Sequence, residues 1–362
     1  MNNNTKADLF SPIEMGSYAL RNRVIMAPMT RNRAGEGNVP QAMTVEYYRQ
    51  RASAGLIITE ATQVSPEGVG YPATPGIHSS AQIAGWNQVI DAVHAENGLI
   101  FVQLWYCGRI SHPDLLPDNQ QPVSASAIKA EGEAVTFEGM KPFVVPRALS
   151  TEELPGIVDQ YRTAAVNARE AGFDGVEVHA ANGYLLDQFL RDGTNRRDDR
   201  YGGSPENRAR LLIEVIDAVA EAWDTSQIGV RISPDNTFND IQDSDPQTLF
   251  NYVAEALSPK QLAYLHVVEG GMMGEQGVDY DQIRQRFQGK YMVNLGYDQA
   301  KAQAAIANGH ADLVSFGALY LANPDLVARF KAGAELNMPD QATFYGGDEH
   351  GYTDYPFLET QP

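Results

Sequence analysis

GVEVHAANGYLLDQFL (Gly175–Leu190) is the stretch that decides the fold. It opens with the Val/Glu alternation of a strand, and His179, Asn182 and Tyr184 follow directly, placing an imidazole, an amide and a phenol just past a buried-strand pattern. Strand ends of this kind hold the active sites of (β/α)8 barrels.

Working outward, short β-branched or apolar runs recur at RVIMAP (23–28), LIIT (56–59), LIFVQL (99–104) and GVEVH (175–179), then at IGVRI, YLHVV, YMVN and LVSFG. Between them apolar residues take helical spacing, as at Trp86, Val89, Ile90 and Val93, or Leu211, Leu212, Val215, Ile216 and Val219. Eight strands separated by helices predict the α/β class and a parallel (β/α)8 TIM barrel. Ser204 is placed to cap a helix that begins at Pro205 and runs through ENRARLLIEVIDAVAEAW, and Gly172 to end the helix before. The rhythm breaks once, between Tyr106 and Leu149, a Pro-, Ser- and Gly-rich interval with β-prone pieces at AVTFEG and FVVP. We read 106–149 as a cap inserted after strand three, and 1–362 as one barrel domain. A doubly wound sheet would carry a Gly-rich turn after its first strand, where this chain has APMTRNR. The aromatic, Gly-rich segment FYGGDEHGYTDYPFLE is expected to fold back over a site.

Lys and Arg total 27 against 46 Asp and Glu, a formal charge of −19, which disfavours contact with nucleic acid or acidic lipid. Cys107 is the only cysteine, so no intrachain disulfide or thiolate zinc site forms, in keeping with a reducing compartment. The start MNNNTKADLF has no apolar region, and no window approaches the roughly 18 apolar residues of a membrane span. The expectation is a cytoplasmic protein, monomer or homodimer, with small-molecule partners.

Strand ends also carry Pro28, Met29 and Thr30, then Ala61, then Gln103 and Trp105, then Arg231. Gly296 and Gly317, after strands seven and eight, stand where barrels commonly bind phosphate through backbone N–H groups. This set suits a phosphorylated, planar cofactor. None of the seven histidines pairs as HxxxH or HxH, so no metal is expected. No GxSxG elbow occurs, and nothing in sequence activates Cys107.

Several long motifs then fall in register: LFSPIEMGSYALRNRVIMAPMTR, ITEATQVSPEGVGYPATPGI, FVQLWYCGRISH, AGFDGVEVHAANGYLLDQFLRDGTNRRDDRYGGSPENR, SFGALYLANPDL and YGGDEHGYTDYP. With them the chain resembles, over nearly its whole length, the old yellow enzyme family of FMN-dependent ene reductases, N-ethylmaleimide reductase among them. The resemblance implies FMN as cofactor, NADPH or NADH as hydride donor, and ping-pong transfer through flavin N5 to an activated alkene: an α,β-unsaturated carbonyl, maleimide or nitroalkene. Reduction of nitrate esters or nitroaromatics, or flavin binding with little turnover, are the alternatives. By the same resemblance His179 and Asn182 clamp the substrate oxygen and Tyr184 gives a proton to the α-carbon. If the turn is helical, the spacing of three puts His179 and Asn182 on one side.

For the flavin, Thr30 corresponds to the hydroxyl on O4, Gln103 to the group reading the pyrimidine edge, and Arg231 to the charge near N1 and O2. Pro28, Met29, Ala61, Gly296, Gly317 and Ala318 complete the cradle. Plainer roles are a loop cap for Thr30, an interior hydrogen bond for Gln103 and an ion pair for Arg231. Tyr71, Trp105 and Tyr345 correspond to the aromatic walls of the substrate side. Two departures stand at the phosphate end: Ala318 where the family commonly has an arginine, and Leu295 before Gly296.

Overall fold

The computed structural model describes residues 7–271 and 277–359; the MNNNTK start read above lies outside them. Eight parallel strands close into one barrel: Val24–Met26 (β1), Leu56–Gln63 (β2), Ile100–Trp105 (β3), Gly175–Ala180 (β4), Ile228–Ile232 (β5), Tyr264–Val268 (β6), Tyr291–Asn294 (β7) and Leu313–Phe316 (β8). These are the eight runs read from sequence. They are buried throughout, as strands must be when helices cover one face and a barrel interior the other.

Inside the barrel the side chains sort by height. Ile25, Leu56, Ile58, Phe101, Tyr264, Met292 and Leu313 form an apolar plug, closed below by Ile13, Met15 and Leu20 of an antiparallel hairpin. One layer up the interior is polar, a placement that costs free energy unless every group is paired. Outside, the helices pack on the strands through Trp86, Val89, Ile90, Leu211, Val215 and many others in one cluster. Each such buried apolar side chain contributes about 1.5–3 kcal/mol.

Local signals fix the helix ends. Ser204 accepts from the Asn207 N–H at 3.4 Å, and Pro205 opens the helix Pro205–Val219. That helix stops short of Trp223, whose indole N–H instead donates to the Ala165 carbonyl at 2.9 Å. Gly172, at φ 98°, ends the helix Leu154–Ala171 in the left-handed region, which glycine enters without a Cβ penalty.

The interval 106–149 forms the expected insertion, with one correction. Glu133–Thr136 pairs with Gly139–Pro142 as a hairpin, so AVTFEG supplies one strand and its turn, but the partner is GMKP and not FVVP. Pro142 precedes FVVP and Pro146 ends it, and neither has an N–H to continue a ladder. Phe143 turns inward instead, into a cluster with Ala130, Ala134, Trp105 and Tyr184. The cap thereby reaches the mouth of the barrel.

Candidate active site

The polar layer above the plug is a connected network. Gln103 Nε2 donates to Glu177 Oε1 at 2.7 Å, His266 Nδ1 meets Glu177 Oε2 at 2.8 Å, and His266 Nε2 meets Ser315 Oγ at 2.8 Å. Alongside, Arg231 Nη2 donates to Asn294 Oδ1 at 2.8 Å, and Asn294 Nδ2 to the Ser315 carbonyl at 3.0 Å. Burial works against a charge on Glu177, but His266 and Arg231 outweigh it and hold the carboxyl below its ordinary range. Arg231 stays cationic, as guanidinium does in proteins. Its Nε is buried without a partner among the described residues.

Strand pairing sets Arg231 beside both His179 and His266. His179 is buried, and the Ala181 N–H donates to its Nδ1 at 3.3 Å, so the ring proton sits on Nε2. Burial, and then the charge of Arg231, push its pKa well below the ordinary histidine value. At neutral pH it is a neutral ring with one outward donor.

The turn after β4 is not helical, contrary to the conditional reading above: Asn182 (φ 58°) and Gly183 (φ 77°) are both left-handed. Five hydrogen bonds hold them there. The Asn182 N–H donates to Ser233 Oγ at 2.8 Å, and its carbonyl and Oδ1 accept from Asn239 Nδ2 at 2.8 Å and Asn236 Nδ2 at 3.0 Å. With Oδ1 occupied, the Asn182 amide presents its NH2. The Gly183 N–H donates to Asp187 Oδ2 at 2.9 Å and its carbonyl accepts from Gln188 Nε2 at 2.8 Å. Asp187 is itself paired at 2.9 Å with buried Arg191.

Tyr184 leads into the short helix Leu185–Leu190. Its ring lies edge-on to His179 (5.1 Å between centroids), Trp105 (5.0 Å) and Tyr71 (6.4 Å), and Trp105 and Tyr71 stack at 5.6 Å. Burial raises the phenol well above its ordinary pKa, so it holds its proton. Ala61 joins this group because a register shift in β2 between Ile58 and Ala61 re-aims the strand end.

The remaining cradle positions flank β8. Pro28 is buried, Met29 and Thr30 are half-buried, and a Cβ on Gly317 would stand 2.8 Å from Met29 Sδ. Ala318 and Gly296 are exposed, and Leu295 takes φ 79°. Lys301 Nζ lies 3.5 Å from the Gly296 carbonyl.

Tyr345 is two-thirds exposed, within electrostatic reach of Tyr71, on the C-terminal segment that folds back onto the loop after β1. Two arginines of that loop tie the segment down through carbonyls. Arg31 donates to Phe344 (2.9 Å) and Gly351 (2.8 Å), and Arg33 to Asp348 (2.9 Å). Tyr352 is sandwiched against both guanidinium groups, at 4.9 and 4.6 Å. Arg31 and Arg33 have no role legible in the sequence, and neither do Asn236 and Asn239 in PDNTFND, a loop with no periodicity to follow.

The chain is similar over nearly its whole length to known proteins. Residues 8–337 match the NADH:flavin oxidoreductase / NADH oxidase family. The chain is 45% identical to 12-oxophytodienoate reductase 1 of Oryza sativa subsp. japonica, over 97% of this chain and 93% of that protein. It is 44% identical to a probable flavin mononucleotide-dependent alkene reductase of Leishmania infantum, over 97% of each. Among solved structures, morphinone reductase in complex with tetrahydroNAD superposes with a TM-score of 0.94 at 51% identity, over 98% of both chains.

Proposed function

The chain belongs to the NADH:flavin oxidoreductase / NADH oxidase family and is an FMN-dependent ene reductase of old yellow enzyme type, and from that premise we propose that it reduces alkenes activated by a carbonyl, imide or nitro group. FMN, when bound, supplies the hydride chemistry between NAD(P)H and the acceptor. The residues present fit it. Arg231 offers a buried N–H with no partner among the described residues and a fixed positive charge, suited to the negative end of a reduced ring. Gln103 gives one N–H to Glu177, which orients its carbonyl oxygen to accept from an imide N–H. Thr30 supplies a hydroxyl at the rim, and the backbone at Gly296, Gly317 and Ala318 the donors for a phosphate.

The observation that carries the substrate reading is the oriented donor pair. His179 presents Nε2–H and Asn182 its NH2, each fixed by acceptors that are already filled. Negative charge grows on the acceptor oxygen as its β-carbon is reduced, so these donors stabilise the transition state more than the ground state. Tyr184 is the acid: a phenol that keeps its proton until a carbanion forms beside it. Trp105 and Tyr71 form the flat wall against which a conjugated substrate lies.

Two measurements test this together. Anaerobic mixing with NADPH or NADH is expected to bleach the yellow protein, and cyclohexenone to restore the colour. Initial rates with both substrates varied are expected to give the parallel lines of ping-pong kinetics. Bleaching that only oxygen or a quinone reverses would reject the alkene as substrate.

A further inference from the structure

Resting on the reading that Tyr184 protonates the α-carbon, we propose that Tyr71 and Tyr184 form a two-hydroxyl proton relay, with Tyr71 reloading Tyr184 in the same step that spends its proton. The hydroxyls are 3.2 Å apart, Tyr184 donating to Tyr71. A hydroxyl both donates and accepts, so a rotation of each O–H makes Tyr71 the donor.

The two phenols differ in what they touch. Tyr184 is 8% exposed and walled by His179, Trp105 and the cap residues Ala130, Ala134 and Phe143. Tyr71 is half-buried and so the more exposed member of the pair, although burial raises its phenol above the ordinary range as well. A tyrosinate left alone at Tyr184 would be a buried charge, which the protein resists strongly. The same walls leave Tyr184 only 8% exposed, which slows direct reprotonation from solvent. Cys107, the other proton-bearing group beside both rings, is itself buried and holds its proton still more firmly than an ordinary thiol. Asn239 supports the transient charge. Its amide stands close enough to both hydroxyls to favour their ionised forms, and the same side chain pins the Asn182 carbonyl at 2.8 Å.

The proton balance closes. The Tyr184 O–H bond breaks as the α-carbon uses its electron pair to form C–H. The Tyr71 O–H bond breaks as its proton moves to the Tyr184 oxygen. Tyr71 then takes a proton from water at the mouth, and hydroxide leaves to bulk.

Tyr71→Phe keeps the ring on Trp105 and removes only the hydroxyl, so it separates relay from wall. The measurement is reoxidation of the reduced holoenzyme by cyclohexenone in mixtures of H2O and D2O. The parent protein is expected to give a curved dependence on deuterium fraction, two protons being in flight, and Tyr71→Phe a straight one. Enone-dependent reoxidation in the variant is expected to fall about tenfold, less than the roughly 10²–10⁴ that a direct general acid supplies because Tyr184 itself is retained, and by more than any loss with benzoquinone, where no carbon is protonated. A parent protein with a straight dependence overturns the relay. So does curvature that survives in Tyr71→Phe, or an equal loss with both acceptors, which is what a merely structural wall would give. A parent protein that cyclohexenone does not reoxidise at all rejects the ene-reductase reading itself, and the relay with it. Tyr184→Phe that retains full enone turnover rejects Tyr184 as the acid, again a distinguishable result.

Discussion

The two ends of the barrel mouth are built differently. At the β4 end, Asn182 and Gly183 are each held by several hydrogen bonds, and the acidic partner of that turn, Asp187, is locked by a buried arginine. At the β7 and β8 end, Gly296 and Ala318 are exposed, the five-residue helix Ala318–Ala322 follows directly, and no arginine stands at 318. On the proposed reading, precision is concentrated where charge develops during reaction, since a donor displaced by a fraction of an ångström loses most of its value there. A phosphate anchor needs only charge and backbone N–H groups, so it tolerates loss.

The largest effect should therefore come from the braced end. Asn182→Ala or His179→Ala is expected to lower enone-dependent reoxidation by about 10²–10³, the usual cost of one oxyanion donor. Reduction of the same variant by NAD(P)H gives the comparison within one protein. Equal loss in both half-reactions would mean that the clamp acts on cofactor placement and not on the acceptor oxygen.

Next in size is a buried carboxyl beside the loop after β1. Glu60 lies on β2, accepts from the Arg31 N–H at 3.1 Å, and is pushed by burial up to about 7. The sign follows from linkage. In the unfolded chain the carboxyl ionises near 4.5, whereas in the folded protein it stays protonated to about 7. Between these values only the unfolded state gains by losing the proton, so stability falls as pH rises through that window. The full loss is on the order of 3 kcal/mol, at about 1.4 kcal/mol per unit. Glu60→Gln, which keeps the acceptor for Arg31, should match the parent near pH 4 and exceed it in urea midpoint at pH 8. An unchanged difference between pH 4 and 8 would place the ionisation elsewhere.

How much of this was legible in sequence differs between the two ends in the same way. The eight strands were readable because their apolar runs cannot be satisfied except between helices and a barrel interior. His179, Asn182 and Tyr184 were readable as polar residues abruptly following such a run. Their bracing was not: Ser233, Asn236 and Asn239 lie 51 to 57 residues downstream of Asn182 and meet it only because β5 pairs with β4. The left-handed turn was missed because Asn-Gly marks tight turns without saying which residue takes positive φ. Arg31 and Arg33 gave no signal of their role, because their partners are carbonyls more than 300 residues away, which carry no side-chain signature.

The bare end gives smaller effects. Ala318→Arg restores a charged donor, and hydrogen bonds to charged groups contribute roughly 1.5–3 kcal/mol. FMN loss on dilution, followed by flavin fluorescence, is expected to slow by about ten- to a hundredfold. An unchanged rate would show that Lys301, beside the Gly296 carbonyl, or the backbone alone already saturates the phosphate.

Leu295 is the finest probe of the contrast. At φ 79° it occupies a conformation that costs a residue with a Cβ about 1–2 kcal/mol, yet its side chain is half-buried. Leu295→Gly relieves the strain but gives up apolar burial and frees the unfolded chain by about 0.4–1 kcal/mol, so these terms nearly cancel against the parent. Leu295→Ala gives up most of the same burial and keeps the strain. The informative comparison is therefore between the two variants, where glycine is expected to be the more stable by about 1 kcal/mol, roughly 1 °C in Tm for a chain of this length. Alanine melting at or above glycine would mean that this turn is not strained in solution and that the β7 end is better fitted to Leu295 than its backbone angle implies.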